Sequence, residues 1–202
     1  MSATVHGPDG RVLQLEDSVL APFEARVDGT APLPRRCFAA AHVAMLPGYA
    51  EVAHSLERPG PADEIAAHID WETTLAFRER IDRCGMGVAE AMDTAQRFEL
   101  GWDGARALIE RTGALGLENG FVGAASTDQL ATIPDLDALA GAMVEQVRFV
   151  RGCGGIPILL PQPWLTGSGA GEEEFVRFYT DVIDASEGEV LLHFLGEMFH
   201  PS

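Results

Sequence analysis

The chain has 202 residues, 47% hydrophobic and 22% charged, a composition that fills one ordinary domain with a real core and excludes intrinsic disorder. Its 31 acids against 14 bases give a formal net charge of −17, which argues against nucleic acid and anionic membrane surfaces as partners, since both need a basic footprint. All 14 bases are arginine, so chemistry that needs a lysine amine, such as Schiff-base formation, is closed to this chain alone.

Residues 4–15 carry an Asp9-Gly10 turn signal ahead of Val12, Leu13 and Leu15 and predict a small β-hairpin. An irregular lead-in punctuated by Pro22, Pro32 and Pro34 follows, so 1–34 reads as a hairpin extension and 35–202 as the main fold. Cys37 to Val43, CFAAAHV, is the first core strand. Met45 to His68 is a Pro- and Gly-containing loop with a helical turn around Ala50 to Leu56. Asp70 caps a helix over Trp71 to Arg83, and Gly85 stops it.

The second strand, Val88 to Met92, spends the acid Glu90 in mid-run and ends in a polar cluster of Asp93, Thr94, Gln96 and Arg97. A helix over about Trp102 to Thr112 leads to a third strand, Gly120 to Ala125, which ends in Ser126-Thr127-Asp128-Gln129. Asp135 caps a helix whose stripe is Leu136, Leu139, Ala140, Met143, Val144 and Val147, the cleanest helical periodicity in the chain. Ile156 to Leu160 is the fourth strand, and Pro163 to Gly171 reads as a flexible loop. Glu172, Glu173 and Glu174 open a helix with Phe175, Phe178, Tyr179, Val182 and Ile183 on its buried face. Glu189 to Leu195 is the fifth strand.

Strands two to five recur about every 35 residues with one helix between them, the period of a parallel α/β protein. The dinucleotide fingerprint GxGxxG and the phosphate-binding GK[ST] are both missing, and each βα loop ends in polar residues. The predicted fold is therefore a partial (β/α)8 barrel of about five parallel strands, preceded by the hairpin. Three cysteines far apart in sequence, no basic-then-apolar leader and no apolar run near the roughly 18 residues of a membrane span predict a cytoplasmic protein without disulfides.

In such barrels chemistry gathers where strands end. Glu90, Asp93 and His193 are the candidate catalytic groups; Thr94, Gln96, His42, Asp128 and Glu197 are candidate substrate contacts. A carboxylate in a small-residue strand has to be paired, protonated or turned toward a polar mouth, and a histidine titrates near neutrality. Ser126 and Thr127 read as a helix-capping turn, and Gln162 and Trp164 as a lid.

The order CFAAAHV, DWETTLAFRERIDRCGMGVAEAMDTAQR, TDQL and LLHFLGEMF resembles an uncharacterised bacterial family described as dihydrodipicolinate-synthase-like, over residues 35–202. The resemblance implies a class I aldolase or lyase acting on a small oxo-acid, without a cofactor. In the characterised enzymes a Gly-Thr-Thr-Gly-Glu turn holds the substrate carboxylate, and only Thr94 of Met92-Asp93-Thr94-Ala95-Gln96 matches it. Where those enzymes present a proton-relaying tyrosine, this chain has His193. Their Schiff-base lysine lies on a sixth strand, so the resemblance implies a truncated, inactive member.

Two alternatives stay open. His42, Glu90, Asp93, His193 and Glu197 suit a divalent metal used as a Lewis acid. A non-catalytic incomplete barrel would hide its sheet edges in a homo-oligomer.

Overall fold

The computed structural model describes residues 2–6, 11–16, 36–51, 60–194 and 196. At the N-terminus, β1 (Ser2–His6) and β2 (Val12–Glu16) pair antiparallel, Val5 opposite Leu13 and His6 opposite Val12, forming the expected hairpin. The Asp9-Gly10 turn and the lead-in over 17–35 lie outside the described residues.

The main sheet contains β3 (Phe38–Ala40), β4 (Gly87–Glu90), β5 (Phe121–Ala125), β6 (Ile156–Leu159) and β7 (Leu191–Leu192), paired in chain order and parallel throughout. It curls into half of a TIM-like barrel, with helices alternating along its convex side. These are α1 (Ala62–Ala67), α2 (Trp71–Arg83), α3 (Arg97–Ala114), α4 (Leu136–Gly152), α5 (Pro163–Gly167) and α6 (Glu172–Ala185).

Both faces of the central strands are covered, so every residue of β4 and β5 is buried. The convex layer packs Val88 and Phe121 against Ile81, Ala105, Ile109 and Val150, and Ala125 and Leu159 against Leu139, Met143, Val147, Phe178 and Val182. The concave face is built by strand residues and those just after them: Ala89, Met92, Val122, Ala124 and Leu160, with Phe38, Ile156, Ile158 and Leu191 half-buried. A Cβ built on Gly123 would lie 2.8 Å from the Val150 side chain. Glycine there lets α4 lie close against β5.

The helix stops and starts follow from local chemistry. Asp70 Oδ1 accepts from Thr73 N–H at 3.1 Å and Oδ2 from the Thr73 hydroxyl at 2.7 Å; Asp135 Oδ1 caps α4 through Ala138 N–H at 2.8 Å. The Thr73 backbone N–H, then its hydroxyl, hold the Asp70 carboxyl below its ordinary value of 3.8. A depressed folded-state pKa means that the cap's stabilisation is complete above the ordinary value and fades as the pH falls through the lowered one. Asp70→Ala is therefore expected to lower the melting temperature at neutral pH, with the deficit closing on acidification below about pH 4. A deficit independent of pH in thermal scans would contradict this cap.

Several elements depart from the periodic reading. The 45–68 stretch holds a 3-10 turn at Pro47–Glu51 and the helix α1, which starts after Pro61 with Asp63 and Glu64 in its first turn. Residues 52–59 lie outside the described set. α3 begins at Arg97, five residues earlier than expected, because Gly101 (φ 66°, ψ 178°) breaks the helix and attaches one extra turn ahead of Trp102. The expected flexible loop at 163–171 opens with the short helix α5, whose Pro163 occupies the first turn where its missing N–H costs nothing. Ile183 of the α6 stripe is 39% exposed, and β7 is two residues long.

Candidate active site at the strand carboxyl ends

Glu90 ends β4, and its side chain follows Val88 onto the convex, helix-covered side. It is fully buried and fully engaged. Arg78 of α2 grips it with Nε to Oε2 at 2.7 Å and Nη2 to Oε1 at 2.8 Å. Oε2 also accepts from the Thr112 hydroxyl at 2.5 Å, and Oε1 from Ala91 N–H at 2.8 Å. Arg78 Nη1 reaches on to the carbonyls of His42 (2.6 Å) and Thr74 (2.9 Å). One ion pair thus ties the end of β3, β4, α2 and α3 together. The expectation of Glu90 at a polar mouth meets a carboxylate on the opposite side of the sheet, paired because burial leaves an ionised group no other stable option.

The polar run after β4 is divided. Asp93 is exposed and opens a 3-10 turn at Asp93–Ala95. Thr94 lies in that turn, and its side chain falls outside the described residues. Gln96 is exposed, with a left-handed backbone (φ 57°). Arg97 turns inward and is completely buried. Its Nη1 donates to the Ala124 carbonyl at 2.9 Å and to the Ala91 carbonyl at 3.3 Å. Nη2 donates to Asp128 Oδ1 at 2.8 Å and to Gln146 Oε1 at 2.6 Å.

Gln146, on α4, also accepts from Ser126 N–H at 2.7 Å and donates to Asp128 Oδ1 (3.0 Å) and Gln129 Oε1 (2.6 Å). Asp128 Oδ1 is thereby engaged within the β5–α4 loop, while its Oδ2 is buried with no hydrogen-bond partner among the described residues. Beside it lies a cleft of about 430 Å³ lined by Asp63, Leu100, Gly101, Trp102, Asp103 and Asp128.

The strand ends that do share a polar patch are those of β5 and β6. Ser126 and Thr127 are each 6% exposed and Gln162 is 1% exposed. The Thr127 hydroxyl donates to Gln162 Oε1 at 2.9 Å. Gln162 Nε2 donates to the Leu160 carbonyl at 2.9 Å and reaches Ser126 Oγ at 3.5 Å. One strand further, His193 N–H bonds to the Leu159 carbonyl at 3.0 Å, and its Nδ1 is buried with no partner among the described residues. Met92 and Leu160, just past the ends of β4 and β6, are both buried in the concave cluster.

His42 is exposed after β3 and contributes only its carbonyl to the Arg78 network. Glu197 lies outside the described residues, so its pairing with His193 does too. Among the described residues, no three His, Cys, Asp or Glu side chains come together as a metal-ligand group.

Arg78 and Gln146 were not singled out by the sequence reading, whereas Ser126 and Thr127 read as a capping turn and Gln162 as part of a lid. Gln146 could have been: it falls three residues after Met143 and four before Val150, on the buried stripe of α4. A polar residue at a buried helical position demands a buried partner.

A family model described as "protein of unknown function (DUF993)" matches residues 8–202. No curated protein matches the chain. No helix among the described residues is long and apolar enough to cross a membrane.

Proposed function

The chain belongs to the DUF993 family, whose function is unknown; from its strand ends we propose that its half-barrel forms the substrate-holding part of a dihydrodipicolinate-synthase-like carbon–carbon lyase acting on a small oxo-acid in the cytoplasm. The observation that carries this reading is the buried Ser126–Thr127–Gln162 patch at the carboxyl ends of parallel strands, set over an apolar concave face. Ser126 Oγ accepts from Gln162 and keeps its own proton to donate, and the Thr127 hydroxyl and the Gln162 amide would add neutral donors for a carboxylate by exchanging their bonds to Gln162 Oε1 and the Leu160 carbonyl. Neutral donors suit an anion in a chain of net charge −17 because they bind it locally without a basic patch. An apolar concave face keeps water from competing for them.

His193, at the next strand end, has its Nδ1 buried with no partner among the described residues and on this reading transfers a proton to and from the substrate carbon. Asp93, Gln96 and His42, exposed after β3 and β4, form the outer rim of the same ends. The chain supplies binding and proton transfer. With no lysine in the sequence, no side chain of these 202 residues supplies the amine that makes the imine electron sink.

Calorimetric titration with pyruvate tests the reading. The parent chain is expected to bind, and Thr127→Val and Gln162→Leu to weaken binding by about tenfold or more, the effect of losing one buried hydrogen-bond donor or acceptor. Asp63→Ala, in the outer cleft, is expected to leave binding unchanged. No heat of binding, or equal affinity in all four proteins, would count against it.

A further inference from the structure

Among the described residues no strand pairs with the outer edge of β3 or of β7, and the backbone phase, facing and charge of these two edges match one another. Gly87 N–H bonds to the Cys37 carbonyl and Ala41 N–H to the Ala89 carbonyl. In a parallel ladder a residue's N–H and C=O point to the same neighbour and alternate along the strand. Residues 37, 39 and 41 therefore serve β4, and Phe38 and Ala40 present their backbone groups to the open edge. At the far side His193 N–H bonds to the Leu159 carbonyl, so Leu192, one residue out of phase, presents its own outward.

Pairing the β7 edge with the β3 edge through these groups puts Leu192 N–H on the Phe38 carbonyl and Ala40 N–H on the Leu192 carbonyl. That fixes Leu191 opposite Phe38 and Leu192 opposite Ala39. The facing is consistent with that phase. Leu191 and Phe38 both belong to the concave cluster, and Ala39 belongs to the convex one, the side on which Leu192 is 56% exposed. Carried two residues back, the same register sets Glu189 opposite Arg36, both exposed. Arg36 uses one nitrogen on the Asn119 carbonyl at 3.0 Å, which leaves other guanidinium donors for a carboxylate.

We propose that two copies of this chain associate edge to edge, each copy's β7 parallel to the other's β3, with Glu189 of one copy paired to Arg36 of the other at both junctions. The contact is between unlike surfaces, and two copies satisfy it only by closing on themselves about a two-fold axis along the strands. Closure satisfies the ladder groups that each edge leaves open and covers Leu192 and Phe38. It also brings the strand carboxyl ends of both copies around one mouth. The inference rests on the sheet and its edges, and stands whether or not an oxo-acid binds there.

Charge reversal tests it by sedimentation velocity. The parent chain is expected to sediment as a dimer. Arg36→Glu and Glu189→Arg are each expected to weaken association by at least about tenfold, since like charges then meet at both junctions. Mixing the two variants is expected to restore the dimer, because both junctions of the mixed pair are again complementary. Circular dichroism of each variant reports that it is folded, and a variant that had lost its fold would not be rescued by mixing. A monomeric parent, an open-ended assembly, variants that dimerise like the parent, or no rescue on mixing would each overturn the proposal.

Discussion

Replacing Arg78 by alanine is expected to cost about 3–5 kcal/mol of stability, the range for breaking a buried ion pair by removing one partner. The reason is the saturation of Glu90. Its carboxylate is fully buried and receives Arg78 twice, Thr112 and Ala91 N–H. Without the guanidinium it keeps only two neutral donors, and the His42 and Thr74 carbonyls lose theirs. A domain of this size has a total stability of about 5–15 kcal/mol, so the variant is expected to sit at the margin of folding. Urea unfolding followed by circular dichroism measures it. The double variant Arg78→Met with Glu90→Leu is expected to recover much of the loss, because it removes the stranded charge along with its partner. An Arg78→Ala midpoint within error of the parent would contradict the structural role of Glu90.

Arg97→Met is expected to cost about 3 kcal/mol, since it strips Asp128 of its charged partner and the Ala124 and Ala91 carbonyls of their donor. Its effect should not add to that of Arg78→Ala. Ala91 stands between the two networks: its N–H goes to Glu90 and its carbonyl accepts from Arg97. Ala91 also has a φ of 53°, a left-handed backbone that an alanine adopts only when its surroundings enforce it. The two arginines hold that turn at the end of β4 from either side. A double-mutant cycle is expected to give a coupling of about 0.5–3 kcal/mol. Strict additivity would show that the networks are independent.

The parallel order of the sheet was legible because it rests on a period, the return of a strand about every 35 residues with a helix between. Caps were legible for the same reason, as Asp70 and Asp135 are local signals acting on residues three further on. Which side of β4 carries Glu90 was not. Alternation assigns faces only when one face is polar, and β4 is buried on both. Its partner Arg78 is 12 residues earlier on a different element, and no spacing rule joins them. The polar cluster after β4 read as a unit because it is contiguous, but the left-handed backbone at Gln96 turns Arg97 inward while Asp93 and Gln96 stay out. The Ser126–Thr127–Gln162 patch spans about 35 residues of sequence and becomes visible only once β5 and β6 are neighbours.

The central claim is that a small oxo-acid is held at the strand carboxyl ends and not in the outer cleft. Amide chemical-shift mapping of the isotopically labelled chain during a pyruvate titration tests it most directly. The prediction is a set of saturating shifts confined to Ser126, Thr127, Leu160, Gln162 and His193, displaced to about tenfold or more higher pyruvate in Thr127→Val. Shifts confined to Asp63, Gly101, Trp102 and Asp103, or none at saturating pyruvate, would contradict it.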